Sequence, residues 1–321
     1  MEAETLSSAG LLDCYCIGGV HSALAQSRGK IGRAINVFDK TINIRTVEDE
    51  LLVITLGSMR SPANLNLSEG PLRQAGFAYL VRESQDAVAK VDHTGAKPRI
   101  VLQVGSIAIS IDEPDVFQNS LQEPAAESLH TFAASSDRIF SVLAGGAGKE
   151  RAGCLLNPDV TTMGLLPMFL DRLASGNTSN EQDLLAEALM GLCGRGPGFT
   201  PAGDDFIAGY LAVSNWLSNS LKLGPHIIPG KEFSRLTTWT SFKLMEYSAR
   251  GLIDDQAQLM INSVARGSVD DYIICIGLIG KRGHTSGIDF ATGATVALYT
   301  IADRVCGTRT LDHISDLQVR H

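Results

Sequence analysis

The residues best placed to do chemistry lie in two glycine-rich strings. The first is Gly194–Gly209, GRGPGFTPAGDDFIAG, where four glycines and two prolines crowd the first ten residues. No regular element runs through Gly194–Gly198. Thr200-Pro201 then reads as a helix start, with a threonine oxygen as cap and proline where no N–H is needed. Phe206, Tyr210, Val213 and Leu217 follow at helical spacing, so the loop delivers the chain onto the N-terminus of a buried helix. The second string is Gly283–Gly293, GHTSGIDFATG. With one residue skipped, Thr200 matches Thr285, Gly203 matches Gly287 and Asp205 matches Asp289. Phe206 then matches Phe290, and Gly209 matches Gly293. Phe290, Ala294, Ala297 and Ile301 repeat the helical stripe. The spacing predicts a pseudo-symmetric pair of helices whose N-termini face one site.

Helix N-termini present unpaired N–H groups and a partial positive charge, which suit an anion. Neither string is a phosphate loop of the kind that ends in G-K-[ST]. The expected anion contacts are the loop and first-turn residues Gly196, Gly198, Thr200, Gly203, Thr285, Ser286 and Gly287, with Arg195 as a bidentate partner for carboxylate or phosphate. Asp204, Asp205 and Asp289 complicate this, because first-turn carboxylates repel phosphate. Three readings stay open for them: simple stabilisation of the helix dipole, acceptance of N–H bonds from an amide or urea, and coordination of Mg²⁺. His284, beside Lys281, Arg282 and Ser286, is a candidate proton donor. Arg33 and Arg250 are weaker anion candidates. Cys193, near the loop, leaves a covalent route open.

These residues need elements to hold them. Ala34–Phe38, Ile42–Thr46, Leu51–Leu56 and Arg99–Ile111 are β-rich runs split by polar or glycine turns, and Leu72, Ala75, Tyr79 and Leu80 suggest a helix within Gly70–Lys90. Helical periods follow at Met168–Ala174, Asp183–Leu192, Asp205–Leu217, Phe233–Arg250, Gln256–Ala265 and Phe290–Val305. Gly and Pro punctuate them, Gly224-Pro225 among others. The expected architecture is α+β: a β-rich, barrel-like domain over residues 1–120, then a mainly α-helical domain over 121–321 carrying both junctions.

Composition narrows the function. A chain of 321 residues with 27 basic and 35 acidic side chains carries a net −8, and lacks the basic footprint of a nucleic-acid binder. It has no long apolar run of the kind that spans a membrane. Its 32 glycines exceed the roughly 22 expected at about 7% usage. Six scattered cysteines, without metal-ligand spacing, fit a cytoplasmic protein with reduced thiols.

At GRGPGFTPAGDDFIAG and GHTSGIDFATG, with RAINVF (Arg33–Phe38) and YSARG (Tyr247–Gly251) in support, the sequence resembles the AllH-like family. That family was long catalogued as a domain of unknown function and includes a subunit of oxamate carbamoyltransferase from allantoin degradation. The resemblance implies carbamoyl transfer between oxalurate and phosphate, giving oxamate and carbamoyl phosphate. It also implies partner subunits, one of them similar to an acyl-CoA synthetase. Residues 113–180 do not align with the family, and some members have no assigned carbamoyl chemistry. Oxalurate carries a carboxylate and a ureido group, so Arg195 and the loop N–H groups would take one end, Asp205 and Asp289 the other. No cofactor is implied beyond the Mg²⁺ reading. A non-catalytic scaffold or regulatory subunit, and a metal-dependent amidohydrolase, are the competing readings.

Overall fold

The computed structural model describes residues 11–68, 76–94, 97–174, 181–223, 226–312 and 314. The chain divides into two compact units, Met1–Asn119 and Ser120–His321.

The first unit is a β-barrel. Its strands are β1 (Leu11–Gly18), β2 (Gly29–Val37), β3 (Thr41–Thr46), β4 (Leu51–Thr55), β5 (Asn64–Leu67), β6 (Asp86–Asp92), β7 (Arg99–Val104), β8 (Ile107–Ile111) and β9 (Asp115–Phe117). They hydrogen-bond in the order β5-β4-β3-β2-β6-β7-β8-β1, and β5 also pairs with β1, which closes a ring of eight strands. β9 adds beside β1, parallel to it, with Ile17 opposite Val116. Register shifts at Cys14/Cys16, Lys30/Gly32 and Ala34/Asn36 mark bulges, the usual means of curving a sheet until it closes. The interior is aliphatic, with Ile42, Ile44, Leu52, Ile54, Leu65 and Leu102 fully buried. Arg33, on β2, pairs at the surface with Asp86.

The predicted helix within Gly70–Lys90 is corrected in part. Residues 69–75 lie outside the described chain. Phe77–Tyr79 is a single 3-10 turn, and Asp86–Asp92 is strand β6. Val88 and Lys90 pair with Gln103 and Val101 of β7, so cross-strand pairing overrides the local period.

The second unit is helical. It comprises α1 (Ala126–Ala133), α2 (Ser136–Gly146), α3 (Leu165–Ala174), α4 (Glu181–Leu192), α5 (Ala202–Leu221), α6 (Lys231–Ser234), α7 (Trp239–Ala249), α8 (Asp255–Ala265), α9 (Val269–Ile279) and α10 (Ser286–Cys306). The helix expected over Phe233–Arg250 is broken. Thr238 caps α7 by accepting the Ser241 N–H, so the chain stops at Ser234 and starts again. Gly224-Pro225 lies outside the described residues. Helices α1, α2 and α9 carry no prediction above.

α5 and α10 form the middle of this unit. Every residue of α5 from Ala202 to Leu217 is buried except Asp205. In α10 the same holds from Gly287 to Ala302 except Phe290 and Thr300. A helix apolar all round belongs inside a bundle. Its few polar side chains are absorbed locally: the Thr292 and Thr295 hydroxyls donate to carbonyls one turn back, and the Asn215 amide donates to Ile227 and Ala249. Phe169 meets Phe206 and Tyr210 edge-on, tying α3 to α5.

Candidate functional site

The glycines of the two motifs bring backbone against backbone. A Cβ on Gly209 of α5 would overlap the Phe290 carbonyl and stand 3.0 Å from the Ala294 nitrogen of α10. A Cβ on Gly293 of α10 would overlap the Phe206 carbonyl and stand 3.0 Å from the Phe206 Cα of α5. These two contacts are reciprocal. A second pair repeats the device: Gly203 lies against the carbonyl of Leu192, the last residue of α4, and Gly287 against the carbonyl of Ile279, the last residue of α9. The loops are tied alike as well. The Arg195 N–H donates to Leu192 and the Gly203 N–H to Arg195; the Arg282 N–H donates to Ile279 and the Gly287 N–H to Arg282. The α4–loop–α5 and α9–loop–α10 units are thus built to one plan, the first loop longer by three residues.

This packing joins the two helix starts. The Thr200 hydroxyl donates to Asp205 Oδ2 at 3.1 Å and lies 3.0 Å from the Ser286 hydroxyl. Thr200 is therefore not the helix cap its sequence position suggests. The helix opens at Ala202, Pro201 precedes it in extended conformation, and the threonine oxygen reaches across to the other junction. The Ser286 hydroxyl also bonds the Asp205 carboxyl, and burial pushes that carboxyl up to about 7, against the pull of the two hydroxyls. Asp289, fully buried, accepts the Leu155 N–H on Oδ1 at 2.8 Å and is supported by the Thr285 hydroxyl. Its Oδ2 is buried without a hydrogen-bond partner. Burial drives the Asp289 carboxyl well above the usual range, and the negative charge of Asp205 drives it further.

Other expected site residues separate from this cluster. Asp204 turns into its own unit, accepting the Gly194 N–H at 2.7 Å and the Thr237 hydroxyl, so it braces the glycine loop. Burial nonetheless raises its carboxyl. Gly194, Gly196 and Gly198 all have positive φ, between 72° and 105°, which gives the loop its turns. Arg195 and His284 are exposed, at the rims of the first and second loops. Arg282 grips Asp254, the cap of α8, with two nitrogens and donates to Gln256 with a third. Arg250 is the C-cap of α7. The Cys193 thiol is buried and raised by burial and by Asp204, which removes thiolate character.

One contributor carries no sequence prediction. The segment Gly153–Thr162 sends the Leu155 N–H to Asp289 and folds around Asp159, whose carboxylate accepts from Thr161 and Thr162. A Cβ on Gly153 would stand 3.0 Å from Pro197 of the first glycine loop. Asp159 followed at two and three residues by threonines is an Asx-type turn readable from sequence, but nothing local says that it faces α10.

Among the described residues no three or more His, Cys, Asp or Glu side chains cluster as metal ligands, and no helix is long and apolar enough to cross a membrane. The arrangement is that of a helical unit organised around a duplicated loop-to-helix junction. Residues 192–298 match the family model described as oxamate carbamoyltransferase subunit AllH, and both junctions fall inside the match. No curated protein and no solved structure matches the chain.

Proposed function

We propose that the chain is a subunit of an oxamate carbamoyltransferase-like enzyme and that its paired junctions hold a small carbamoyl-bearing ligand. The observation that carries this reading is the convergence of Thr200, Asp205, Ser286 and Asp289 from two helix starts. The match over residues 192–298 supports it. The reaction would be carbamoyl transfer between oxalurate and phosphate, giving oxamate and carbamoyl phosphate. Partner subunits, one of them synthetase-like, would supply what this chain lacks.

The Gly203 and Gly287 N–H groups are already bonded within their own loops, so the donors for a ligand would be the Thr200 and Ser286 hydroxyls with Arg195, and the aspartates are acceptors. Together they suit a ligand with an oxygen-rich end and N–H groups at the other, as oxalurate has. Arg195, at the rim of the first loop, would meet the carboxylate or phosphate. Asp205 and Asp289 would take the ureido nitrogens, and His284 would serve as proton donor at the entrance. The rate gain would come from positioning and from stabilising the developing oxyanion. Mg²⁺, if used, would be held by Asp205 with Ser286 and Thr200.

A scaffold reading draws on one specific observation. Gly203, Gly209, Gly287 and Gly293 are each explained by backbone packing alone. Packing does not account for a buried Asp289 whose Oδ2 has no hydrogen-bond partner and which feels the charge of Asp205, since a scaffold could replace it with an apolar residue at a gain in stability. A thermal-shift experiment separates the two readings. Oxalurate or carbamoyl phosphate at millimolar concentration should raise the melting temperature of the purified chain, because a ligand bound only by the native state stabilises it. No rise with either compound, with or without Mg²⁺, would favour the scaffold.

A further inference from the structure

We propose that Asp159 is a positioning residue of the paired junctions: the turn it holds clamps one strap, Gly153–Thr162, against both glycine loops and so sets where Arg195 stands relative to Asp289. The inference rests on the proposed function for the junctions' being a ligand site, and goes beyond it in naming what keeps their two halves in register.

The strap touches both loops. On the first, the Thr162 methyl lies 3.1 Å from where a Cβ on Gly196, the residue after Arg195, would stand, and Pro197 Cγ lies 3.0 Å from one on Gly153. On the second, the Leu155 N–H donates to Asp289 Oδ1 at 2.8 Å. Arg151, just before the strap, brings its Nη1 to 3.3 Å from a Cβ placed on Gly280, the C-cap of α9.

One side chain holds the far end of the strap. Val160, at the tip of the turn, is 91% exposed, so packing does not fix the turn there. Asp159 Oδ1 instead accepts the Thr161 N–H at 2.8 Å and its hydroxyl at 2.6 Å, and the Thr162 N–H and hydroxyl at 3.2 Å. The Asp159 N–H donates back to the Thr162 hydroxyl at 3.0 Å, which seats Thr162 beneath Gly196. Asp159 Oδ2 stands 3.1 Å from a Cβ placed on Gly153, so the same carboxylate closes on the start of the strap. There the Gly153 N–H donates to the Asn157 carbonyl and the Asn157 N–H to Cys154 Sγ, a tight curl from which the Leu155 N–H reaches Asp289.

A ligand with an anionic end and N–H groups at the other is gripped by groups on both loops. A clamp that spans the loops fixes the distance between those groups, and preorganisation of that kind raises affinity by removing an ordering cost. Asparagine can replace aspartate in such a turn, because its side-chain oxygen accepts the same bonds; alanine cannot.

Hydrogen exchange of the full chain without ligand, read by mass spectrometry over residues 153–162 and 194–203, tests the clamp. In Asp159→Ala both stretches should exchange at least about tenfold faster than in wild type, and in Asp159→Asn neither should. A turn that served only the strap's own fold would speed the first stretch and leave the second unchanged. That result overturns the proposal, as does no change in either stretch. Calorimetry of oxalurate then reads the site: affinity should fall at least about tenfold in Asp159→Ala and stay within about twofold in Asp159→Asn. Equal affinity of Asp159→Ala and wild type overturns the proposal. If Asp159→Ala does not fold, Thr161→Val, which takes one surface hydroxyl from the carboxylate, carries the same expectations at about threefold. Wild type that binds neither oxalurate nor carbamoyl phosphate, with exchange as expected, keeps the clamp and defeats the carbamoyl reading, so the two failures are distinguishable.

Discussion

Gly293→Ala is expected to destabilise the helical unit by about 3 kcal/mol or more, measured by urea denaturation. The added methyl would meet the backbone of Phe206, its Cα at 3.0 Å, on a neighbouring buried helix. Backbone cannot rotate aside as a side chain can, so α5 and α10 would have to part. Gly209→Ala drives the same methyl into Phe290 from the other side and should cost a similar amount. Because the two contacts share one interface, the double variant should lose less than the sum of the singles. Gly277→Ala is the control. It lies in α9 with nothing within 4 Å of the added methyl, and should be neutral or stabilise by about 0.5–1 kcal/mol. A Gly293→Ala protein as stable as wild type would mean that the backbones do not touch.

The second large effect is a pH dependence. The Asp205 carboxyl stands at about 7 in the folded chain, and Asp289 lies well above the usual range. Both folded values exceed the unfolded value near 4, so the folded state holds these protons more tightly. Their contribution is fully present below pH about 4, where both states are protonated, and is lost as pH rises through the folded values. The stability of the wild type should therefore fall between pH about 4 and 7 through Asp205, with Asp289 adding to the loss in the same direction. Asp86, Asp92 and Asp159 have lowered values and act in the opposite sense, but only below pH about 4. Asp205→Asn, which mimics the protonated acid, should flatten the curve and gain about 1.5 kcal/mol over wild type at pH 5, rising to about 4 kcal/mol by pH 8. Chemical denaturation at stepped pH measures it. Parallel curves for wild type and variant would show that Asp205 titrates normally.

Much of the frame could be read from local pattern. The runs at Ala34–Phe38, Ile42–Thr46 and Arg99–Ile111 are strands because β-branched side chains alternate between polar turns, and this is information within a few residues. The barrel's closure rests on β1 pairing with β5 across some fifty residues, and no local period carries that. β5, NLNL, is buried on both faces, so its asparagines hide it from an alternation test. The paired junctions were visible because a repeated glycine offset is a sequence fact. What the glycines do was not: a glycine needed for ligand approach and one needed against a carbonyl look alike in sequence. Asp204 and Asp205 are neighbours with opposite fates, because helical geometry turns one toward Gly194 and Thr237 and the other toward Ser286. Residues 113–180 share no motif with the family, yet they contain the Leu155 N–H that meets Asp289.

The account turns on whether Asp205 and Asp289 form a ligand site, and titration calorimetry of oxalurate into the full chain and its Asp205→Asn variant tests this most directly. Saturable binding near one equivalent is expected for the wild type. Asp205→Asn, folded by circular dichroism, should weaken it by at least about tenfold, since loss of a charged acceptor removes about 1.5–3 kcal/mol. Equal affinity of the two proteins for oxalurate would contradict the account.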